Sequence, residues 1–426
     1  LALALLIAAG ALPGRGQDSL TVEAAIRRVL AQYPSIERAE ALVRSAEARQ
    51  GQAESGFLPG LALDAAYTRI GPVPSLAFPG LGKFTLYPEN NYDTHVGGSY
   101  TLLDFGKTRS AVELAAAGIE TARDQVDISK TDLAFETITS FYAILLLRQS
   151  VQVADEELSV LGDHLSMVRA KVETGSATVL DSLNVVVRVA AGREQRVGLA
   201  NHLEKEETHL RHLLGFSENV PLALRGGFEA AGVSADADSL MRLAVAQRPD
   251  LRLARDAVRA ADLQQSVARS GTLPSLNVNG LVGAKNGYPP DLDVIKADWV
   301  LGVQFRLPVF DGKRTSYAEE EARASLLASQ ARESELMRRV GVDVVAGLSD
   351  LRAAWMRVEI SEAEVKQAIA AMGIARTKFE SGSATNVDVL DAQTAESAAK
   401  LRRLEALYSY VLSRFALERA VGGRLF

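Results

Sequence analysis

Residues Lys171 to Asn184 read KVETGSATVLDSLN, and residues Lys378 to Asp391 read KFESGSATNVDVLD. Across an offset of 207 residues the two segments keep Lys, Glu, the whole GSAT tetrapeptide, Asp and Leu, an agreement that chance does not supply. Such self-similarity marks a duplicated chain and constrains the architecture before any single motif does. Further landmarks fall into line. Tyr33-Pro34 pairs with Arg248-Pro249 and Leu58-Pro59 with Leu273-Pro274, both at an offset of 215, whereas Gly106-Lys107 pairs with Gly312-Lys313 at 206 and Gly215 with Gly422 at 207. The first copy therefore carries nine extra residues between Pro59 and Gly106.

Those nine fall in a loop between two strands. Leu61, Leu63, Ala65 and Tyr67 alternate with Ala62, Asp64, Ala66 and Thr68, the period-two pattern of a strand with one apolar face. A second row, Tyr92, Thr94, Val96, Gly98, Tyr100 and Leu102, has Asp93, His95 and Ser99 opposite. In the second copy Leu276, Val278 and Val282 alternate with Asn277 and Asn279, and Trp299, Leu301, Val303, Phe305 and Leu307 with Asp298, Gly302, Gln304 and Arg306. Each copy thus predicts one hairpin. The first connection, from Gly71 to Asn91, holds 21 residues rich in Pro and Gly, and the second, from Lys285 to Lys296, holds 12.

The rest reads as helix. No proline occurs from Gly106 to Val172, and the heptad row Val112, Ile119, Val126, Leu133, Ser140, Leu147, Ala154, Leu161 and Val168 has one polar member. At about 1.5 Å per residue this segment is about 100 Å long. Val344, Leu351, Val358, Val365, Met372 and Phe379 keep the same step in the second copy, and Val387, Leu390, Leu401, Leu404, Tyr408, Val411 and Phe415 line the helix that follows. The predicted organisation is a signal peptide over 1–16, with a truncated start; repeat 1 over 17–215, with helices in 19–57, strands 61–70 and 92–103 and helices 106–172 and 179–214; and a linker over 216–236. Repeat 2 covers 237–422, with helices in 237–271, strands 275–284 and 297–307 and helices 312–379 and 386–421, before a tail at 423–426. The signal assignment rests on the apolar run LALALLIAAGAL before Pro13.

Composition narrows the function. The net charge of −6, from 47 Lys+Arg against 53 Asp+Glu, provides no basic excess for nucleic acid. Zero cysteines exclude disulfides, thiolate metal sites, thiol catalysis and an acylated N-terminal cysteine. Beyond the first dozen residues no run approaches the roughly 18 apolar residues of a spanning helix, so a membrane crossing must use strands. Four strands cannot close a spanning barrel, which needs about 8, and an open sheet would leave unpaired backbone groups in lipid. Two chains would supply eight strands around a filled lumen and three would supply twelve around an open bore. The inward row of Asp64, Asn277, Asn279, Gln304 and Arg306 suits water and favours three.

This layout, with Leu58-Pro59 and Leu273-Pro274 before the strands, LLDFGK and VFDGK at strand-to-helix junctions, and TGSATVLDSLN and SGSATNVDVLD at helical tips, resembles the TolC-like outer-membrane efflux protein family. The resemblance covers nearly the whole chain after about Ser19 and implies a mainly α fold with a membrane β-barrel. It implies a homotrimer that closes a 12-stranded β-barrel in the Gram-negative outer membrane and continues as a periplasmic α-barrel. A periplasmic adaptor protein and an inner-membrane transporter are the implied partners, besides outer-membrane lipid. The implied role is a passive exit duct for small molecules, with no cofactor and no enzymatic activity. It makes Tyr67, Tyr100, Trp299 and Phe305 membrane-facing aromatics, and makes the tips Gly175, Ser176, Ala177, Thr178 and Gly382, Ser383, Ala384, Thr385 adaptor-docking positions. Asp388 and Asp391 match acidic positions that form rings at the periplasmic constriction. Ala384 stands where well-known members have arginine, so their ionic lock does not carry over.

Residue chemistry adds local expectations. Thr178 with Asp181 and Thr385 with Asp388 fit the capping box, and the preceding glycines fit left-handed helix ends. Asp391 has no capping role and follows Asp388 by one turn; Asn184 occupies its place in the first copy. A carboxylate ring would favour cations and raise carboxylate pKa values by mutual repulsion, whereas a solvated face would do neither. Asp104-Phe105-Gly106 lacks the other kinase elements, and Gly106-Lys107-Thr108 lacks the phosphate-loop glycine, since Thr101 stands there. His202, His209 and His212 share one helical flank, where isolated surface histidines outweigh a metal site. Two other functions stay open: the outer-membrane component of a type I protein secretion system, and a soluble coiled-coil scaffold.

Overall fold

The computed structural model describes residues 19–80, 82–217, 220–232 and 236–423; the expected signal segment and the last three tail residues lie outside them. Helices α1 (Val22–Gln32) and α2 (Pro34–Glu54) lead to strands β1 (Gly60–Arg69), β2 (Ser75–Phe78), β3 (Gly82–Thr85) and β4 (Asn90–Leu103). Then come α3 (Lys107–Glu173) and α4 (Val179–Leu213). The second copy repeats the order with α5 (Ala237–Gln247), α6 (Pro249–Arg269), β5 (Ser275–Lys285), β6 (Lys296–Arg306), α7 (Arg314–Glu380) and α8 (Asn386–Ala420). The duplication extends to length. Helices α3 and α7 each have 67 residues, and α4 and α8 each have 35.

Two compact units emerge, one holding Glu40–Gln125 with Asp250–Leu336, the other built from residues up to Ala39, Val126–Pro249 and Met337 onward. In the first, β1, β4, β5 and β6 form one antiparallel sheet in the order β1-β4-β5-β6. Its register puts Leu63, Val96, Val282 and Trp299 in one cross-strand row, and Tyr67 beside Tyr92. The alternation read along each strand therefore sums to a continuous apolar face. Trp299 is 74% exposed and Leu61 76% exposed, so this face has no cover among the described residues. The opposite face carries Asp64, His95, Asn277, Asn279, Asp298, Gln304 and Arg306.

Polar contacts tie that second face together. His95 reaches across β5 to Asp298 on β6, Nε2 to Oδ1 at 2.8 Å, and its Nδ1 meets Asp93. The intervening strand position is Gly283, where a Cβ would collide with the Thr94 carbonyl and the His95 ring. Lys285 and the Tyr288 hydroxyl complete the Asp298 contacts at 3.4 and 3.0 Å.

The strand-to-helix junctions are duplicated too. Asp104 accepts hydrogen bonds from the Thr108 amide and hydroxyl at 2.7 and 2.5 Å, and Asp311 does the same for Thr315 at 2.9 and 2.5 Å. Each carboxylate thereby satisfies donors in the first turn of a long helix. The same threonines pack beside Gly56 and Gly271, where a Cβ would meet Thr108 at 2.9 Å and Thr315 at 3.1 Å. Asp104-Phe105-Gly106 and Gly106-Lys107-Thr108 are thus pieces of a structural joint.

In the other unit the heptad rows are buried at Leu133, Ser140, Leu161, Val168, Val344, Leu351 and Val358, and Ile138, Phe141, Ile144, Val185, Leu210 and Val340, outside the rows quoted, are fully buried beside them. The Tyr142 ring lies against Phe228 and Phe415, and the Tyr410 hydroxyl donates to the Ala231 carbonyl at 2.7 Å.

Several expectations need correction. The helices expected within 19–57 and 237–271 stand, divided where Pro34 and Pro249 begin new helices, since the residue before a proline is pushed to extended backbone. Residues 19–21 are not helical: the Leu20 amide donates to the Ala223 carbonyl and the Arg225 amide to the Leu20 carbonyl, so part of the expected linker 216–236 is docked, with Leu222 buried. The long helices start at Lys107 and Arg314, after Gly106 and Gly312 at φ of 98° and 69°. The 71–91 connection contains the β2-β3 hairpin. A register shift between Thr101 and Leu103 sets Leu103, not Leu102, opposite Leu276. Val387 is exposed, and Tyr410 and Leu407 lie deeper than Tyr408.

Replacing Phe141, 0% exposed, by alanine should destabilise the unit by about 3–5 kcal/mol. Denaturant melts in detergent followed by circular dichroism will check this, with the exposed Val187→Ala within about 0.5 kcal/mol of wild type.

Candidate functional site

The two GSAT turns close the helical hairpins α3-α4 and α7-α8, and their backbones make matching hydrogen bonds. Gly175 and Gly382 take φ of 74° and 78°, a left-handed conformation that suits glycine at a helix end. The Ser176 amide donates to the Lys171 carbonyl and the Ser383 amide to the Lys378 carbonyl, both at 2.8 Å. Next comes a complete capping box in each copy. The Thr178 hydroxyl accepts from the Asp181 amide and the Asp181 carboxylate accepts from the Thr178 amide at 2.9 Å; Thr385 and Asp388 repeat this at 2.8 Å. Hydrogen bonds from the threonine hydroxyl and amide hold both carboxyls below the usual aspartate range. Asp388 is exposed, but one oxygen is committed to the cap.

Asp391 is exposed one turn further along α8 and faces Arg188 of α4, Nη2 to Oδ1 at 3.5 Å. This cross-hairpin pair escaped the sequence reading, although Arg188 was in plain view four residues after Asn184. Ala177 and Ala384 sit within the turns and bring no side-chain charge to them.

Close to the turns two further links join the hairpins, and among the described residues neither has an equivalent in the other copy. Lys171 donates from Nζ to the Phe379 carbonyl at 2.8 Å and lies 4.2 Å over that ring. Asn386 donates from Nδ2 to the Asp181 carbonyl at 3.0 Å, and its Oδ1 lies 2.7 Å from His164 Nε2. The repeat places Val179 and Ala371 where Asn386 and His164 stand. Val179 is 66% exposed and Asn386 only 4%, so the duplicated turns differ most where they meet.

The remaining expected residues separate. Tyr67, Tyr100, Trp299 and Phe305 all lie on the apolar sheet face and are exposed. His209 pairs with Glu136 at 3.3 Å and His212 meets the Tyr33 ring edge-on, so the histidine flank does not converge. Among the described residues no group of three or more His, Cys, Asp or Glu is placed to hold a metal ion, and no helix is long and apolar enough to cross a membrane.

A duplicated hairpin with one apolar face, set in a chain of paired 67-residue helices, is matched by the family model described as outer membrane efflux protein, over residues 25–216 and 240–423. The chain belongs to the outer membrane efflux protein family. It is an efflux protein of the Gram-negative outer membrane. The pyoverdine export outer membrane protein OpmQ of Pseudomonas putida is 25% identical over 90% of this chain and 82% of its own length. TolC of Vibrio cholerae is 24% identical over 71% of this chain and 70% of its own. In fold, the outer-membrane channel OprN matches 95% of this chain and 90% of its own with a TM-score of 0.82 at 19% identity, and CusC 95% and 92% with 0.81 at 19%.

Thr385→Ala removes one capping hydroxyl, while Thr385→Ser keeps it. The alanine variant should exchange its first α8 amides several-fold faster, the scale set by the roughly 1 kcal/mol of a lost N-cap. Hydrogen exchange by mass spectrometry will read both, and the serine variant should match wild type. Because both capping carboxyls titrate below their free value of about 3.9, the caps contribute fully above that pH and are lost as pH falls through the depressed value.

Proposed function

We propose that three copies of this chain assemble into the exit duct of a tripartite efflux system, a passive channel that carries small molecules from an adaptor and an inner-membrane transporter to the exterior. The observation that carries the proposal is the four-stranded sheet. One face is continuously apolar, the other is polar, and β1 and β6 stand at its two sides without a further strand among the described residues. In lipid each unpaired backbone group costs several kcal/mol, so those sides call for strands from neighbouring copies. Three sheets give twelve strands, enough for a water-filled bore lined by the polar face. The apolar face with Tyr67, Tyr100, Trp299 and Phe305 then meets lipid.

The helical tips form the periplasmic mouth. Gly175 to Thr178 and Gly382 to Thr385 present small side chains on rigidly capped turns, which suits close approach of an adaptor's helices. Asp391 is the better candidate for a constriction ring, since Asp388 is tied into its cap, and Arg188 is positioned to moderate its charge.

Light scattering on the detergent-extracted protein should give three chains per particle, and planar bilayers should show discrete conductance. A monomeric particle without conductance would sink the proposal. Asp391→Asn should weaken block by divalent cations added at the tip side by at least a few-fold, and Arg188→Ala should strengthen it, both read from single-channel currents.

A further inference from the structure

Deepening the reading of the tips as a channel mouth, we infer that His164, Asn386 and the Asp181 carbonyl form an acid-sensitive latch that holds the two hairpins together. The geometry carries this. Asn386 Nδ2 already donates to Asp181 of the first hairpin, so its Oδ1 is left to accept, and the hydrogen on His164 must sit on Nε2. The bridge therefore runs from α3 through a side chain of α8 to the backbone of α4, and it works with a neutral ring.

The surroundings oppose a second proton. His164 is 7% exposed, with the Phe379 ring 5.1 Å away and Leu161, Met167 and Met372 among the side chains lining the same small cavity. The charged groups facing it are Arg376 of α7 and Lys171 of its own helix, with Asp163 at the cavity wall; α8 contributes the neutral Asn386 and Gln393, and α4 a carbonyl. Burial first, and then the two cations, hold the His164 pKa below the ordinary histidine value, against the opposing pull of the Asn386 bond. The sign follows. A ring freed into water protonates at about 6.5, so the joined arrangement has its full stability above that pH and loses it as pH falls toward the depressed value.

Mild acid therefore loosens the contact between hairpins from the buried side. The Lys171 bond to Phe379 and the exposed Arg188–Asp391 pair remain as links that do not involve His164. Neutralising His164 by substitution, with its donor retained, should leave the hairpins joined at every pH in this range.

The chain has no cysteine, so Val179→Cys and Val387→Cys, both at exposed positions beside the turns, give a specific pair for spin labels in the full chain. Pulsed electron–electron distances, measured in detergent with labelled chains diluted into unlabelled ones, should lengthen between about pH 7.5 and about pH 5, which brackets histidine titration. His164→Gln, whose amide can still donate to Asn386, should keep the short distance at both, and Asn386→Val should show the long distance at both. An unchanged distance in the histidine protein, or the same lengthening in His164→Gln, overturns the latch. This readout needs no conductance. A particle that conducts but shows no pH-linked distance refutes the latch alone, whereas a monomer without conductance refutes the channel and leaves the distance to judge the latch.

Discussion

Backbone hydrogen bonding in a medium without water is the constraint on which the proposed assembly depends. Within lipid a peptide group has no solvent to fall back on, so a sheet there must end against another strand. Four strands per chain do not meet that demand, and the apolar face formed by Leu63, Val96, Val282, Trp299 and their neighbours makes the sheet unsuited to water as well. Both facts are the grounds for proposing assembly. The helices follow a different rule. Most of their amides are satisfied within each helix, and burial of apolar side chains such as Ile138, Phe141, Ile144, Val340 and Val344 provides the driving force for their association.

The duplication distributes these two rules evenly. Each copy contributes one pair of long strands, one aspartate-threonine joint and one capped helical hairpin. Departures from the symmetry are few and local. The first copy alone has the β2-β3 hairpin in its longer loop, and the tips diverge at His164, Val179, Ala371 and Asn386. Perfectly equivalent hairpins could not make a directional bridge of donor and acceptor side chains at this place, so the asymmetry is what allows one hairpin to hold the other.

Much of the fold was legible in the residues because it depends on periodicity. Alternation gave the strand faces, heptads gave the long helices, and the GSAT repeats with Thr178, Asp181, Thr385 and Asp388 gave the turns and their caps. Pro34 and Pro249 mark where each of the helical spans 19–57 and 237–271 divides into two helices. The β2-β3 hairpin was hidden because its strands have four residues each, too short for a pattern to declare itself. At the tips the periodic signal is silent about partners 200 residues away. Arg188 with Asp391, Lys171 with Phe379, and His164 with Asn386 are contacts between copies, set by how two hairpins lie together. A comparison of the two copies position by position could have singled out Asn386, a polar residue where its twin is valine.

Equal lengths of α3 with α7 and of α4 with α8 restrict how this gene can change. Adding one residue to a single hairpin would advance its turn by about 1.5 Å and rotate it by about 100°, which would draw Asn386 away from His164 and Asp181. Lengthening the arms without that damage requires matched insertions in both halves of the reading frame, so the reach of the protein is a quantity that mutation can alter only in coordinated steps.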